Sequence, residues 1–543
     1  MPAKMALKNV VAGSPLAMEA YWLFNPAGHK GLGRYNLSRL TEALPAAVKQ
    51  ARPFAAKAPK GKDVFIFATL HYWIEQAAII AVTLAGLGHR VTLAFLPYGD
   101  WRKEVTPFDL RRHALYTRDH LKPAEGLIKI VNLLDLAQIE LPQALHEEIC
   151  LVAEYDTMYT DQVEEVDTSS AIYQLRLARN QSAAGSALSY LKQHRPDVAL
   201  IPNGTILELG AVYRAARYLN VPVTTYEFND QREQIWLAQN DEIMRQNTDQ
   251  LWADLGVKPL TESQSERIRK FESARMGARL EGKAARLWQD VPAQGGESIR
   301  AKLGLDARPV VLLATNVLGD SLTLGRNVFS KSMAEWITCT VQYFANRGDA
   351  QLVIRVHPGE RLTHGPSMVD VVKAAVPELP ENIHVIGPLD KVNTYDLMEF
   401  TSLGLVFTTT TGLEMSLNGI PVIACGNTHY RNRGFTLDPK SYDDYFDILN
   451  SVLTDVSKYQ LTEAQVELAW RYAYYFFYEY SRPFPWRLIS FWDDIRTWPV
   501  GRVLSEEGQT EFGRTFGQML GDPLGMGSVV QYAIPSGLLC LAA

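Results

Sequence analysis

The chain has 543 residues, is 47% hydrophobic and 21% charged, and carries a formal net charge of −6. This is the make-up of an ordinary globular protein with apolar residues enough for more than one core, and it lacks the global basic field that a nucleic-acid partner would need. Four scattered cysteines (Cys150, Cys339, Cys425, Cys540) without CxxC spacing argue against a disulfide framework or a zinc site and favour a reducing compartment.

Residues 1–20 show no secretory leader pattern, and no apolar run reaches the roughly 18 residues of a membrane span. A cytoplasmic location, including the inner face of the membrane, is therefore expected. Tyr21 to Phe24 is a short strand candidate, followed by the loop NPAGHKGLGRYN and a helix from Ser38. Val64 to Thr69 reads as a buried strand, Trp73 to Leu87 as a helix ended by Gly88, and Val91 to Leu96 as the next strand. Asp197 to Ile201, Leu207 to Leu219 and Val221 to Tyr226 repeat the strand–helix–strand pattern. Near-continuous apolar strands separated by helices imply parallel sheets covered on both faces.

Residues 230–294 are polar with a helical pattern, and VPAQGGESIR (Val291 to Arg300) reads as a linker. A second alternating series follows, with strands at Pro309 to Ala314, Gln351 to Val356, Ile383 to Ile386, Leu403 to Phe407 and Pro421 to Ala424. The aromatic stretch Arg471 to Trp492 has two readings: a core-packing helix crossing between domains, which the spacing favours, or peripheral membrane contact. Residues 521–543 are small and apolar and are assigned no role. The expected division is 1–295, 296–480 and a C-terminal helix and tail, 481–543.

Chemistry concentrates at the predicted strand ends. In VIRVHP, alternation puts Arg355 and His357 on one side, and Pro358 breaks the strand; a guanidinium and an imidazole there suit a phosphate or carboxylate. The turn Thr408–Thr411 with Gly412 opens a helix after the strand ending at Phe407, a place where amide groups and the helix dipole favour a phosphate. Glu414 has two compatible readings: the return partner in a capping box with Thr411, or a carboxylate for ribose hydroxyls. Arg431 and Arg433 in the loop after Ala424 could close on an anion, and Asn316 completes the donor set. The loop holding His29, Lys30 and Gly31 lacks GxGxxG or Walker spacing; it is read as an acceptor or donor-phosphate loop or as plain surface loop, and the acceptor set is His29, Lys30, Gly31 and Asn203. Glu227 and Asp100, with His71 as a rival, are candidates for general-base work. No nucleophile elbow, HExxH or strand-end DxD occurs, so a DxD-type metal site is not expected.

VIRVHPGE, GPLD followed by Tyr395-Asp396-Leu397, TTTTGLEMSLNGIPVIACG and HYRNRGFT together resemble the capsule polysaccharide biosynthesis family of bacterial glycosyltransferases, which includes Kdo transferases. The match covers residues 300–480 and is loose before that, through Asn203, Gly204 and Glu227; Met415 stands where alanine is usual. The resemblance implies an α/β, GT-B-like fold: two Rossmann-like domains with parallel sheets facing a cleft, plus C-terminal helices. It further implies donor nucleotide on the second domain, acceptor on the first, and no metal or other cofactor. Arg355, His357, Glu227 and Asp100 would then be catalytic. Thr409, Thr410, Thr411, Gly412, Glu414, Arg431, Arg433 and Asn316 would bind the nucleotide sugar, and His29, Lys30, Gly31 and Asn203 a glycan or lipid-linked acceptor. The alternatives are a nucleotide-sugar 2-epimerase, a polyol-phosphate transferase of teichoic-acid type, and a non-catalytic sugar-binding protein.

Overall fold

A computed structural model describes residue 8 and residues 11–25, 32–33, 35–228, 231–276 and 291–525. Its strands are β1 (Asp63–Thr69), β2 (Arg90–Leu96), β3 (Lys129–Asn132), β4 (Val198–Pro202), β5 (Val223–Glu227), β6 (Gln234–Gln239), β7 (Val310–Ala314), β8 (Gln351–Arg355), β9 (Ile383–Ile386), β10 (Leu403–Val406), β11 (Val422–Ala424) and β12 (Ser481–Pro483). They form two sheets, ordered β12-β6-β5-β4-β1-β2-β3 and β11-β10-β7-β8-β9. Strands β1 to β5 pair in parallel, as do β7 to β11, while β6 and β12 are antiparallel additions to the first sheet.

The strands read as unbroken apolar runs because both faces of each sheet are covered. In β1, Val64, Ile66 and Ala68 enter one core while Phe65 and Phe67 enter another. In β7, Val310, Leu312 and Ala314 face one layer of helices and Val311 and Leu313 the opposite layer. Counted from its own first strand, each five-stranded parallel unit runs 5-4-1-2-3. That is the doubly wound order, in which the winding reverses between strands one and four and opens a crevice at their carboxyl ends. The reversals fall between β1 and β4 and between β7 and β10.

The chain does not visit the two cores strictly in turn. Helix Glu262–Met276 precedes β7 yet places Ile268 and Phe271 in the second sheet's core. After the second sheet, Tyr472, Tyr475, Phe476, Phe477 and Tyr480 fill that same core, and β12 then pairs with β6 of the first. Phe484, Trp486, Val503, Phe512 and Phe516 finish the first core. The aromatic stretch thus packs in the cores, as its spacing favoured, but it is not one helix: the α-helix passes into a π-helix at Tyr475–Tyr480, and Ser481–Pro483 is strand β12. Among the described residues no helix is long and apolar enough to cross a membrane.

Two readings need correction. Tyr21 to Phe24 is the end of a helix, Pro15–Phe24, not a strand: Ser14 caps it, Pro15 opens it, and the buried Met18 and Trp22 are one turn apart. The polar stretch after residue 230 contains strand β6, whose Ile235 and Leu237 enter the first core; its four apolar residues, Ile235 to Ala238, are too short a run between Gln234 and Gln239 to stand out from the polar segment.

Candidate active site

The first reversal is built from three adjacent strand ends. Glu227 closes β5, Asn203 follows β4, and His71 follows β1. Leu70 (φ 62°) and Asn203 (φ 58°) both hold left-handed backbone there, a conformation that costs a non-glycine residue of order 1–3 kcal/mol and collects at ligand sites. Asn203 uses its side-chain oxygen on the amides of Thr205 and Ile206 and donates from Nδ2 to Glu227 Oε2 at 3.2 Å. The Phe228 amide donates to Glu227 Oε1 at 3.1 Å. The carboxyl group is thus held by two donors, but loss of water outweighs them and raises its pKa to about 7. Burial lowers the pKa of His71, which packs edge-on to Tyr35 and Tyr72. The Asp100 carboxylate, after β2, accepts the amide of Arg102, and its carbonyl accepts from Arg179.

At the second reversal Asn316 follows β7, and its Oδ1 accepts the amide of Thr408, which follows β10, at 3.1 Å. The amide of His357, after β8, donates to Thr315 Oγ1 at 3.0 Å. His357 Nδ1 accepts from the Gly359 amide at 3.0 Å, so the neutral ring carries its proton on Nε2. Asn316, His357 and Thr408 are therefore brought together, as their positions at neighbouring strand ends require. The threonine turn closes partly on itself. Gly412 N donates to Thr409 O, Thr411 N to Thr409 Oγ1, and Tyr430 Oη also donates to Thr409 O. Gly412 is needed for that last contact, because a Cβ there would lie 2.3 Å from the tyrosine oxygen. Thr410 is the helix N-cap residue, with no side-chain cap bond.

The capping box predicted for Thr411 and Glu414 does not form. Glu414 is buried and accepts instead from Arg275 of helix Glu262–Met276 at 2.6 Å. A buried carboxylate needs a charged partner more than a helix end needs a second cap bond, and only the tertiary fold supplies that arginine.

The three arginines expected on a phosphate are directed elsewhere. Arg355, 4% exposed, donates to the carbonyls of Gly387 and Val392 and ties down the loop between β9 and the next helix. Arg431 donates to the carbonyls of Ala424 and Pro439, bracing its own loop. Arg433 pairs with Asp249 at 2.6 Å and donates to Thr248. Burial lowers the pKa of Arg355 to about 10, and a guanidinium so deprived of water takes the nearest carbonyls. His29, Lys30 and Gly31 lie outside the described residues.

Two residues without any motif join the first reversal. Tyr159 ends helix Gln143–Asp161, and Asp320 lies in the turn after β7. Gly319 lets the two meet: it has φ 66°, and a Cβ there would lie 2.1 Å from the carbonyl of Met158. Burial pushes the Tyr159 hydroxyl up to about 12, helped by the carboxylates of Asp320 and Glu227. Burial likewise raises Asp320. The carboxyl ends of β5 and β7 therefore border one seam between the sheets. Further contacts cross it: Glu164 accepts the amides of Met333 and Ala334 at 2.9 and 2.7 Å, and Arg102 lies 3.0 Å from His364. Strand-end position was the only signal for Asp320; Tyr159, on a helix, offered none. Among the described residues no group of three or more His, Cys, Asp or Glu is arranged to hold a metal ion.

Residues 266–474 match the model of the family described as capsule polysaccharide biosynthesis protein. The resemblance read from VIRVHPGE to HYRNRGFT thus holds over the segment that carries it. No curated protein matches the chain. Similar solved structures include KpsC from Thermosulfurimonas dismutans, a beta Kdo 2,4 transferase, 17% identical over 51% of this chain and 78% of that one, with a TM-score of 0.34. Another is the UDP-GlcNAc 2-epimerase from Neisseria meningitidis bound to UDP-GlcNAc, 13% identical over 77% of this chain and 98% of that one, with a TM-score of 0.25. At such scores the likeness does not choose between transfer and epimerisation.

Proposed function

We propose that this chain moves a sugar from a nucleotide-sugar donor to a glycan acceptor, with chemistry at the seam between the two sheets. The observation that carries the reading is Glu227, a carboxyl group fixed by Asn203 and the Phe228 amide and tuned to titrate near 7. It belongs to a chain whose residues 266–474 carry the capsule polysaccharide biosynthesis pattern. A base with a pKa near the working pH combines a sufficient ionised fraction with useful proton affinity. Glu227 takes the proton of the acceptor hydroxyl as that oxygen attacks the anomeric carbon; the bond to the leaving phosphate breaks, and the proton remains on the carboxyl group.

The departing nucleotide phosphate gains charge, and the second sheet answers with neutral donors rather than arginines. Asn316, the threonines of the turn and His357 Nε2–H stand at its strand ends. Preorganised donors of this kind are worth about 3–4 kcal/mol each where charge develops in the transition state. The reading includes no metal, so a chelator is expected to leave the rate unchanged.

Incubation with CMP-, UDP- and GDP-sugars, with and without glycan acceptors, tests the proposal. Acceptor-dependent nucleotide release supports it. An isomerised sugar nucleotide formed from donor alone replaces it with epimerisation, and neither turnover nor binding leaves a non-catalytic sugar-binding or scaffold protein.

A further inference from the structure

Helix Pro15–Phe24 is apolar on two faces, and only one of them is packed. Its inner side places Met18 and Trp22 in the protein, with Trp22 Nε1 donating to Asp119 at 2.7 Å and Tyr21 edge-on to Phe108 at 5.1 Å. The opposite side carries Leu16, Ala20, Leu23 and Phe24, spaced i, i+4, i+7 and i+8, which is one continuous helical stripe. Leu16 is 83% exposed, Leu23 70% and Phe24 86%, whereas an aromatic core such as that at Tyr472 to Tyr480 is covered. Other exposed apolar residues, such as Val257, Leu362, Leu389 and Ile489, come one to a segment, whereas Leu16, Leu23 and Phe24 share one helical stripe, and contiguous exposed apolar residues mark an interaction site.

The charge of the surrounding sequence indicates the partner. Residues 1–62 contain ten Lys and Arg against two acidic residues, Glu19 and Glu42, a net +8 in a chain whose total is −6. Glu19 is moreover paired with Arg118. An apolar helical stripe within a basic segment matches a bilayer that presents acyl chains beneath anionic headgroups. We propose that helix Pro15–Phe24 lies in the interface of an anionic phospholipid membrane, with Leu16, Leu23 and Phe24 inserted below the headgroups. This membrane surface is distinct from the aromatic stretch Arg471 to Trp492.

The inference stands independently of the transfer reaction, because vesicle binding is measured without donor or acceptor. The full chain is floated with vesicles of phosphatidylcholine alone and with vesicles containing one-third phosphatidylglycerol. Expected is recovery with the anionic vesicles, weakened by added salt, and little with neutral ones. The combined variant Leu16→Gln, Leu23→Gln and Phe24→Gln is expected to lower the partition coefficient by about tenfold or more. Its melting temperature should match the parent, because these side chains leave little contact to lose. The idea is overturned if the parent chain fails to float with anionic vesicles, if it floats equally with neutral ones, or if the variant floats as well as the parent. It is also overturned if sedimentation shows a dimer that the variant dissolves, since a second copy would then cover the stripe.

Discussion

The two sheets share one strand order but carry different chemistry at their reversals. The first offers a titratable carboxyl group, Glu227, held by Asn203 and bordered by Tyr159 and Asp320. The second offers amide, hydroxyl and imidazole donors at Asn316, Thr408 and His357, while its arginines hold loops in place. The difference follows from burial: a carboxyl group deprived of water stays usable because it can take up a proton, whereas a buried guanidinium must keep its charge and bind whatever acceptors lie nearest. Under the proposed transfer reaction, one strand order used twice would give proton transfer to one sheet and phosphate stabilisation to the other.

The sharpest way to break this division is Glu227→Gln. Turnover should fall about 10²- to 10⁴-fold with donor binding retained, measured as acceptor-dependent nucleotide release. In the parent chain the raised pKa places the proton on Glu227 below about pH 7, so under the proposed reaction kcat/KM should rise through that pH and then level. A flat profile between pH 6 and 8 would take the base role from Glu227.

Next in size is His357→Ala, expected to lower kcat by about 10²-fold if Nε2–H meets the departing phosphate. Unchanged kcat in folded protein would return His357 to a structural role, with its ring accepting from the Gly359 amide and its own amide donating to Thr315. Arg355→Ala should act on stability, losing about 2–3 kcal/mol in denaturant titration as the carbonyls of Gly387 and Val392 lose a charged donor. A large kinetic loss at parental stability would return Arg355 to the phosphate.

Glu414→Gln should cost about 2 kcal/mol, because Arg275 keeps its buried charge while its closest anionic partner is neutralised. A raised donor KM without destabilisation would instead favour the ribose role. The smallest effect is expected for Arg433→Ala, under about 1 kcal/mol, since its partner Asp249 is well exposed. A donor KM raised tenfold by this change would show that Arg433 swings onto substrate.

Much of the fold was legible. Every strand of the second sheet was placed within two residues, because buried parallel strands are short apolar runs with glycine or proline at their ends. The missed strands, β3, β6 and β12, sit at or next to sheet edges and are short runs bounded by or made of polar residues, so composition hid them. Strand-end logic also found Asn203, Glu227, Asn316, His357 and Thr408, which the fold gathers at the two reversals. It could not find Tyr159, which reaches the seam from a helix, nor foresee the partners of the arginines.

The sequence by itself determined most strands of the two parallel units, and therefore which residues stand at their ends, because local apolar pattern and backbone breakers act over a few neighbours. Only the tertiary structure decided what those residues do there. Arginines and carboxylates choose partners by distance and by access to water: Glu414 meets Arg275 from 139 positions away, and Arg355 finds carbonyls 32 and 37 positions on. Those separations close only when the helices and loops have packed.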